Sequence, residues 1–537
     1  MARGEADFVK SRASALSVGA IGFVVALGHL SLFPNVADLD GFYHVGHAIA
    51  YLEGSIFDPS LPWATQSIIR DIGGDLWWGF HVLLVPFAAL GSVALSLQTA
   101  AVLLTLSLGL TVYWVLQRHE IEGAAWWAAL FLIVVPNIFF RHLMVRPHVL
   151  SLAASIALLS VLVRGRWWHV ALLSAIISWV HLNLFWMAPG LALAYTISRI
   201  PVTVALGPES PDRGVPIRYA VMATIGGTLV GWLLRPEPLA TVGLLAVQLI
   251  RLFAEKTAEE PLTFAAELSP IGFGELARTT WLFAAVWIFA VLGTIRAATS
   301  GDLGKLRQEK ATLLVTALLV SIVFLGLSLL SARRAMEQWV AFGFLALPFL
   351  ATVVVTPERR RALRAPLAVV LLGYLAWGGW RHSLNVRYVS FPANTLQEVS
   401  AFLATNSDPG DMVFHAKWDN FGPLFAHNRT NVYLGGMDPI FQLAHDPRAY
   451  WEFFYMSMDV NVAWTCDAFP CSAGVATDSH EVIREHFGAR WILVEPRRNP
   501  RLTLHLLNDP RFSLALETQR EAVFEVLPDS AATDEGR

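Results

Sequence analysis

Charge and cysteine are what this sequence has little of. Only 15% of its 537 residues are Asp, Glu, Lys or Arg, against about 25% in an ordinary soluble domain. Hydrophobic residues make up 55% of the chain, and the mean hydropathy is +0.51. The shortage of charge excludes an ordinary soluble enzyme and points to a polytopic α-helical membrane protein. A net charge of −3 leaves no electrostatic footprint for nucleic acid as a partner. Two cysteines, Cys466 and Cys471, are too few for a disulfide scaffold or a cysteine-ligated zinc site. Gly-rich phosphate loops, internal repeats and low-complexity tracts are absent as well, which removes P-loop nucleotide chemistry and repeat architectures.

What is there is a series of apolar runs, near 15–33, 95–116, 123–140, 148–163, 167–182, 183–199, 217–235, 279–297, 311–330, 336–355 and 365–381. They predict about eleven spans. A further run, 76–91, is ambiguous by hydropathy. Suppose it does not cross and the N-terminus is cytoplasmic. Then Arg3, Lys10, Arg12, Arg118, Arg164 and Arg166 fall inside, with Arg199, Arg213 and Arg218. Arg296, Lys305, Arg307, Lys310 and the run Arg359, Arg360, Arg361, Arg364 follow them. A spanning 76–91 would flip every later group, so the positive-inside rule makes it a non-spanning helix near the outer surface. The first run exceeds the roughly 7–15 apolar residues of a signal-peptide core, so it reads as an uncleaved anchor.

This topology divides the chain into a transmembrane part, residues 1–382, with external loops 34–94 and 236–278, and a region 383–537 outside the membrane. In the latter, strand-like runs at Met412–His415, Asn431–Leu434, Trp491–Val494 and Ala522–Val526 alternate with helical stretches at 394–404 and 480–488. That alternation predicts a soluble extracytoplasmic α/β domain. Cys466 and Cys471, in CDAFPC, sit in it, and an oxidising exterior favours a short-loop disulfide between them.

The first external loop reads ADLDGFYHVGHAIAYLEGSIFD, opening on Asp38 and Asp40. In a helix starting at Asp40, spacings of four and three put Asp40, His44 and His47 on one face. A carboxylate there can serve as a general base or hold a metal. Equally, Asp38 or Asp40 can cap the helix while the histidines face headgroups.

The stretch DGFYHVGHAIAYLEG resembles the first external loop of the catalytic subunit of oligosaccharyltransferases, members of the GT-C superfamily of glycosyltransferases. That resemblance puts the family's catalytic aspartate on Asp40. Later segments follow the family's order. SARRAMEQWVAFGFLALPFLA places Arg333 and Arg334 where the family has a pyrophosphate-binding arginine. FAAELSPIGFGEL puts Glu267 where it has a glutamate in a mobile external loop. KWDNFGPLFAHNRTNVYLGG is similar to the acceptor-binding WWDYG motif and its N-R-T-like sequel, with Trp418, Asp419 and Gly422 matching and two positions altered.

One departure stands out. Where the family carries a second acidic pair that helps hold a divalent metal, this chain reads FFRHLMVRPHVLS, with Arg141, His142, Arg146 and His148. Arginines at helix ends also snorkel toward headgroups. Two Arg–His pairs can instead neutralise a phosphate without metal, Arg bidentately. The cofactor expectation is therefore either none or a divalent cation such as Mg or Mn at Asp40. His181 and Asn183 lie near the same surface and either line a cavity or bond between helices.

The resemblance implies a membrane glycosyltransferase that moves a sugar or oligosaccharide from a polyprenyl-phosphate or polyprenyl-diphosphate donor to a protein or glycan acceptor on the outer face. In that scheme Asp40 is the base and Glu267 a second catalytic acid group. Arg333, Arg334, Arg146 and His148 stabilise the donor phosphate, and Trp418 and Asp419 hold the acceptor. Asp38, His44 and His47 are additional candidates. The setting implied is the cytoplasmic membrane of a bacterium or archaeon, with the N-terminus cytoplasmic. Two rivals are an inactive GT-C-like scaffold subunit, suggested by the lost acidic pair, and a lipid or solute transporter, which favours broken helices and buried intramembrane charge.

Overall fold

The structure is a computed structural model and describes residues 18–206, 214–256, 265–354, 357–472, 474 and 476–528. The start of the first apolar run, and Arg3, Lys10, Arg12 and Arg213 of the loop-charge argument, lie outside the described residues. So do the side chains of Arg359, Arg360, Arg361 and Arg364. The chain forms two compact units: residues 1–38, 98–234 and 266–392, and residues 39–97, 235–265 and 393–537.

The first unit is helical. Among the described residues, four helices are long and apolar enough to cross a membrane: Val93–Arg118, Phe273–Thr299, Gln308–Leu330 and Arg333–Val354. A bent pair, Ala124–Ile133 and Pro136–His142, makes a fifth if it counts as one span. The run at 123–140, expected as one helix, is therefore broken, with an angle of 96° between its halves. Pro136 is the reason. It opens the second half at its first turn, where its missing N–H costs nothing, but it cannot continue the first half. Val18–Leu32, Pro147–Val163, Trp167–Val180 and Ile217–Leu233 are shorter apolar helices. Their core includes Phe131, Trp339, Phe342, Phe344 and Phe349, all fully buried.

Small residues set one close packing. A Cβ on Gly227 or Gly231 of Ile217–Leu233 would overlap the carbonyl oxygens of Ala171 and Ala175 on Trp167–Val180. Small residues four apart on both helices let the backbones touch, which is how apolar helices associate where lipid competes for side-chain contact.

The second unit contains helix Asp40–Glu53 and the helix Trp78–Ala88. The latter has 11 residues, about 16 Å of helix, roughly half of a hydrocarbon core. Its five-stranded sheet runs in the order Val432–Tyr433, Met412–His415, Ala489–Val494, Ala522–Val526, Phe512–Glu517. The first two pairings in that order are parallel and the last two antiparallel, so Ala522–Val526 alone runs against the other four. Met412–His415 is buried on both faces, and so is Ala489–Val494 apart from Arg490, which explains the apolar runs Met412–Phe414 and Trp491–Val494. Residues 63–66 extend the sheet edge, with Thr65 N donating to Tyr433 O and Tyr433 N to Trp63 O, both at 2.8 Å. The strand Phe512–Glu517 was not apparent from sequence because most of its residues face solvent at the sheet edge. Beneath the sheet lie Phe414, Ile492, Phe524, Leu502 and Leu506.

Candidate functional site

In the first unit, two prolines deliver two arginines. The helix Pro136–His142 ends on Arg141 and His142, and Arg146 is the N-cap residue of Pro147–Val163. Each helix starts on a proline, so the link between them is short and both guanidinium groups emerge from it. Glu267, on the single 3-10 turn Ala266–Leu268, accepts from both. Its Oε2 takes Arg141 Nη1 at 2.6 Å and its Oε1 takes Arg146 Nη1 at 2.8 Å. Arg141 Nε also donates to Glu337, and Arg146 Nε to Asp38. Burial favours the neutral form of Glu267, but the positive charges of Arg146, Arg141 and Arg334 outweigh it and hold the carboxyl well below the usual carboxylate range.

Arg141, Arg146 and Arg334 thus face Asp38, Glu267 and Glu337, three cations against three anions. Glu337 is 2% exposed and Asp38 9%, so removing one partner leaves a charge poorly solvated, at a cost of about 3–5 kcal/mol. His148 Nε2 lies 3.5 Å from Glu337 Oε2, beyond a good hydrogen bond.

Arg333 turns elsewhere. Its Nη1 donates to Glu275 Oε1 at 3.1 Å, and its backbone N to Ser269 O at 2.8 Å. Ile271 N adds a bond to Ser328 O at 2.9 Å. These contacts fasten the turn carrying Glu267 to the start of helix Met336–Val354. Of the two neighbouring arginines, then, Arg333 tethers and Arg334 contributes charge. His181 shares a 3.1 Å hydrogen bond with Ser151, and Asn183 is buried.

In the second unit, Asp40 opens helix Asp40–Glu53, whose N-cap residue is Leu39 and carries no side-chain cap. Asp38 pairs with Arg146, and Asp40 lies in the first turn, where a negative charge complements the helix dipole. His44 and His47 are each 2% exposed, so they face protein rather than headgroups. His81 donates Nδ1–H to Asp75 Oδ2 at 2.6 Å, and its Nε2 meets His44 Nδ1 at 2.8 Å. Tyr51 donates to the same Asp75 oxygen at 2.7 Å, and Trp77 N to the other at 2.8 Å. Burial would raise Asp75, but His81, His47 and Tyr51 together hold it below the usual carboxylate range. Burial, reinforced by His81, lowers His47 to about 3.

His47, Asp75 and His81 bring ligand atoms within 4.8 Å of one another. Their arrangement fits a hydrogen-bonded chain better than a metal. Both nitrogens of His81 are engaged, and the His47 and His81 rings stack at 4.4 Å with only 3° between planes, so their in-plane lone pairs do not converge. Around Asp38 the fit to a divalent cation is also poor, because the neighbouring donor positions are guanidinium groups.

Trp418 and Asp419 form a 3-10 turn at the carboxyl end of strand Met412–His415, the edge where α/β sheets commonly bind ligands. Burial raises the Asp419 carboxyl despite Arg498 and Lys417 nearby. The helix Phe421–His427 follows directly. Gly422 suits the close approach there, since a Cβ would lie 3.0 Å from Leu39 O and 3.2 Å from Tyr43 N, tighter than most Cβ contacts. Cys466 and Cys471 are joined by a disulfide, with Cα atoms 5.5 Å apart.

Sequence reasoning singled out neither Glu337 nor Asp75 with His81. Glu337 sits in RRAMEQ, where it reads as an ordinary first-turn acid. His81 falls on the ambiguous apolar run 76–91 and Asp75 immediately precedes it, and only their mutual spacing of six offered a signal.

No family model matches the chain, and no curated protein matches it by sequence. Among solved structures it is similar to an Archaeoglobus fulgidus oligosaccharyltransferase tethered to an acceptor peptide containing the NVT sequon, with TM-score 0.52 and 12% identity, covering 89% of this chain and 69% of that one. It is also similar to ArnT from Cupriavidus metallidurans in the apo state, with TM-score 0.55 and 12% identity over 96% of this chain and 98% of that one. The same ArnT bound to undecaprenyl phosphate gives 0.52 and 12% over 95% and 98%. At such identity the likeness is one of fold.

Proposed function

We propose that this chain, which has the fold of the GT-C glycosyltransferases, transfers a sugar from a polyprenyl-phosphate or polyprenyl-diphosphate donor to an acceptor hydroxyl or amide outside the membrane. The observation that carries this reading is the bridging of Arg141 and Arg146 by the two oxygens of one carboxylate. Two guanidinium groups spaced to grip an O–C–O unit can also grip the O–P–O edge of a phosphate. The undecaprenyl phosphate bound to ArnT supports a polyprenyl donor, and the peptide on the oligosaccharyltransferase supports a peptide or glycan acceptor.

In this reading Asp40, two residues after Asp38 in the chain, takes the acceptor proton. The acceptor oxygen or nitrogen bonds to the anomeric carbon as the bond from that carbon to the phosphate oxygen breaks. The negative charge released onto the phosphate falls to Arg141, Arg146 and Arg334, with Arg333 holding the turn that carries Glu267. Glu267 occupies the anion seat until donor displaces it. Trp418 and Asp419 contribute to acceptor binding. No metal is needed for leaving-group charge, because the arginines supply it.

The topology proposed with this function has about eleven spans, the N-terminus cytoplasmic, and residues 383–537 outside. A reporter fused after residue 382 must then read as external. The decisive experiment is transfer of labelled sugar from a polyprenyl donor by Asp40→Asn. Loss of transfer with the fold intact supports the assignment; transfer at the wild-type rate overturns it. Absence of transfer in the wild type across lipid-linked donors would favour the inactive scaffold.

A further inference from the structure

A cavity of about 1040 Å³ lies within the first unit, and none of Arg141, Arg146, Glu267 and Glu337 lines it. It runs along helices Val18–Leu32 and Pro357–Val389. From Leu371 to Arg387 it follows some sixteen residues of helix, about 24 Å. Its length is walled by apolar side chains, among them Phe23, Leu27, Leu130 and Leu375. Its size is at or above the ~1,000 Å³ upper end of ordinary ligand pockets.

Polar groups gather at one end only: Ser31, His382, Ser383 and Arg387. Their hydrogen bonds are informative. Ser31 Oγ spends its single proton on Gly28 O at 2.6 Å. It must therefore accept from His382 Nε2, 2.8 Å away, which leaves Nδ1 as the unprotonated acceptor nitrogen of a neutral ring. His382 is 8% exposed, and among the described residues nothing donates to its Nδ1. Arg387 is exposed and lies against the ring of Tyr388, with no carboxylate partner among the described residues.

We propose that this groove is a lipid site that holds one diacyl phospholipid with an anionic phosphate and a hydroxyl-bearing headgroup, of the phosphatidylglycerol kind. The acyl chains lie along the apolar walls. The phosphate pairs with Arg387, and a headgroup hydroxyl donates to His382 Nδ1. A long apolar groove with a cation at one end suits an anionic lipid, and the unmet acceptor in the same lining asks for a hydroxyl. The site is independent of sugar transfer.

The test is quantitative lipid analysis and native mass spectrometry of the full chain purified in mild detergent, followed by add-back of phosphatidylglycerol, phosphatidylethanolamine or undecaprenyl phosphate. The wild type is expected to retain one phosphatidylglycerol per chain and to prefer it on add-back by at least tenfold. Gly379→Trp fills the groove from a position where a Cβ meets nothing within 4 Å. Arg387→Ala removes the cation from an exposed position, which keeps the test valid should the first variant fold poorly. Both variants are expected to lose retention at least tenfold. Equal retention by wild type and Arg387→Ala, no preference among the three lipids, or selective retention of undecaprenyl phosphate would each overturn the proposal.

Discussion

Glu267 and Arg146 are joined at 2.8 Å, from Nη1 to Oε1, although 121 residues separate them in the chain. The other Glu267 oxygen is taken by Arg141. A carboxylate on a tethered turn thus sits where the leaving phosphate of the proposed reaction would sit.

Arg146 has the most direct consequence. Arg146→Ala is expected to lower sugar transfer by about 10²-fold or more, since a leaving-group contact of this kind is worth roughly 2.7–4 kcal/mol. Arg146→Lys keeps the charge but loses the bidentate grip, and should recover only part of the rate. Steady-state transfer kinetics alongside a thermal melt separate this from simple unfolding. Equal rates for Lys and Arg would argue against bidentate phosphate binding.

Glu267→Gln should act in the opposite sense on donor binding. Removing the competing anion opens the Nη1 edge of both guanidinium groups to phosphate, so the donor KM is expected to fall about threefold to tenfold, up to roughly 1.4 kcal/mol. Because the arginines hold Glu267 ionised, wild-type KM should stay flat through mildly acidic pH. A raised KM in the variant would mean that Glu267 itself contacts the donor.

Chelation addresses the replaced acidic pair. With Arg141 and Arg146 at those positions, transfer in the presence of EDTA is expected to stay within about twofold of the untreated rate, as cationic side chains are not removed by chelators. Full loss on chelation, restored by manganese or magnesium, would place a divalent cation at Asp40 instead.

His47 makes a stability prediction. Its pKa is lowered to about 3 in the folded chain, while an unfolded histidine titrates near 6.5. Below that value the unfolded state binds a proton that the folded state refuses, so stability is fully present above pH ~6.5 and is lost as pH falls toward 3. The slope attributable to this residue approaches ~1.4 kcal/mol per pH unit. His47→Asn should flatten the melting temperature between pH 7 and pH 4; an unchanged slope would remove His47 as the cause.

Much of the helical layout was readable because it depends on local composition. Runs at 95–116, 279–297, 311–330 and 336–355 fall on Val93–Arg118, Phe273–Thr299, Gln308–Leu330 and Arg333–Val354, give or take their ends. The strand runs at 412–415 and 522–526 are strands of the sheet with the same bounds. Apolar period and run length are written in the sequence itself. The 96° break before Pro136 was less legible, because a proline in an apolar run can kink a helix or end it, and neighbouring packing chooses.

The sequence alone marked this chain as a polytopic membrane protein with a resemblance to the GT-C glycosyltransferases, and placed cations where the family it resembles carries acids. Composition and residue order suffice for that. Only the tertiary structure decided which groups those side chains meet: that Arg146 pairs with Asp38 and Glu267, that Arg333 pairs with Glu275, and that His44 and His47 face Asp75 and His81 inside the protein. The physical reason is range. Helical periodicity reaches three or four residues, whereas an ion pair needs only that two charges meet in space, and here the partners come from segments more than a hundred residues apart.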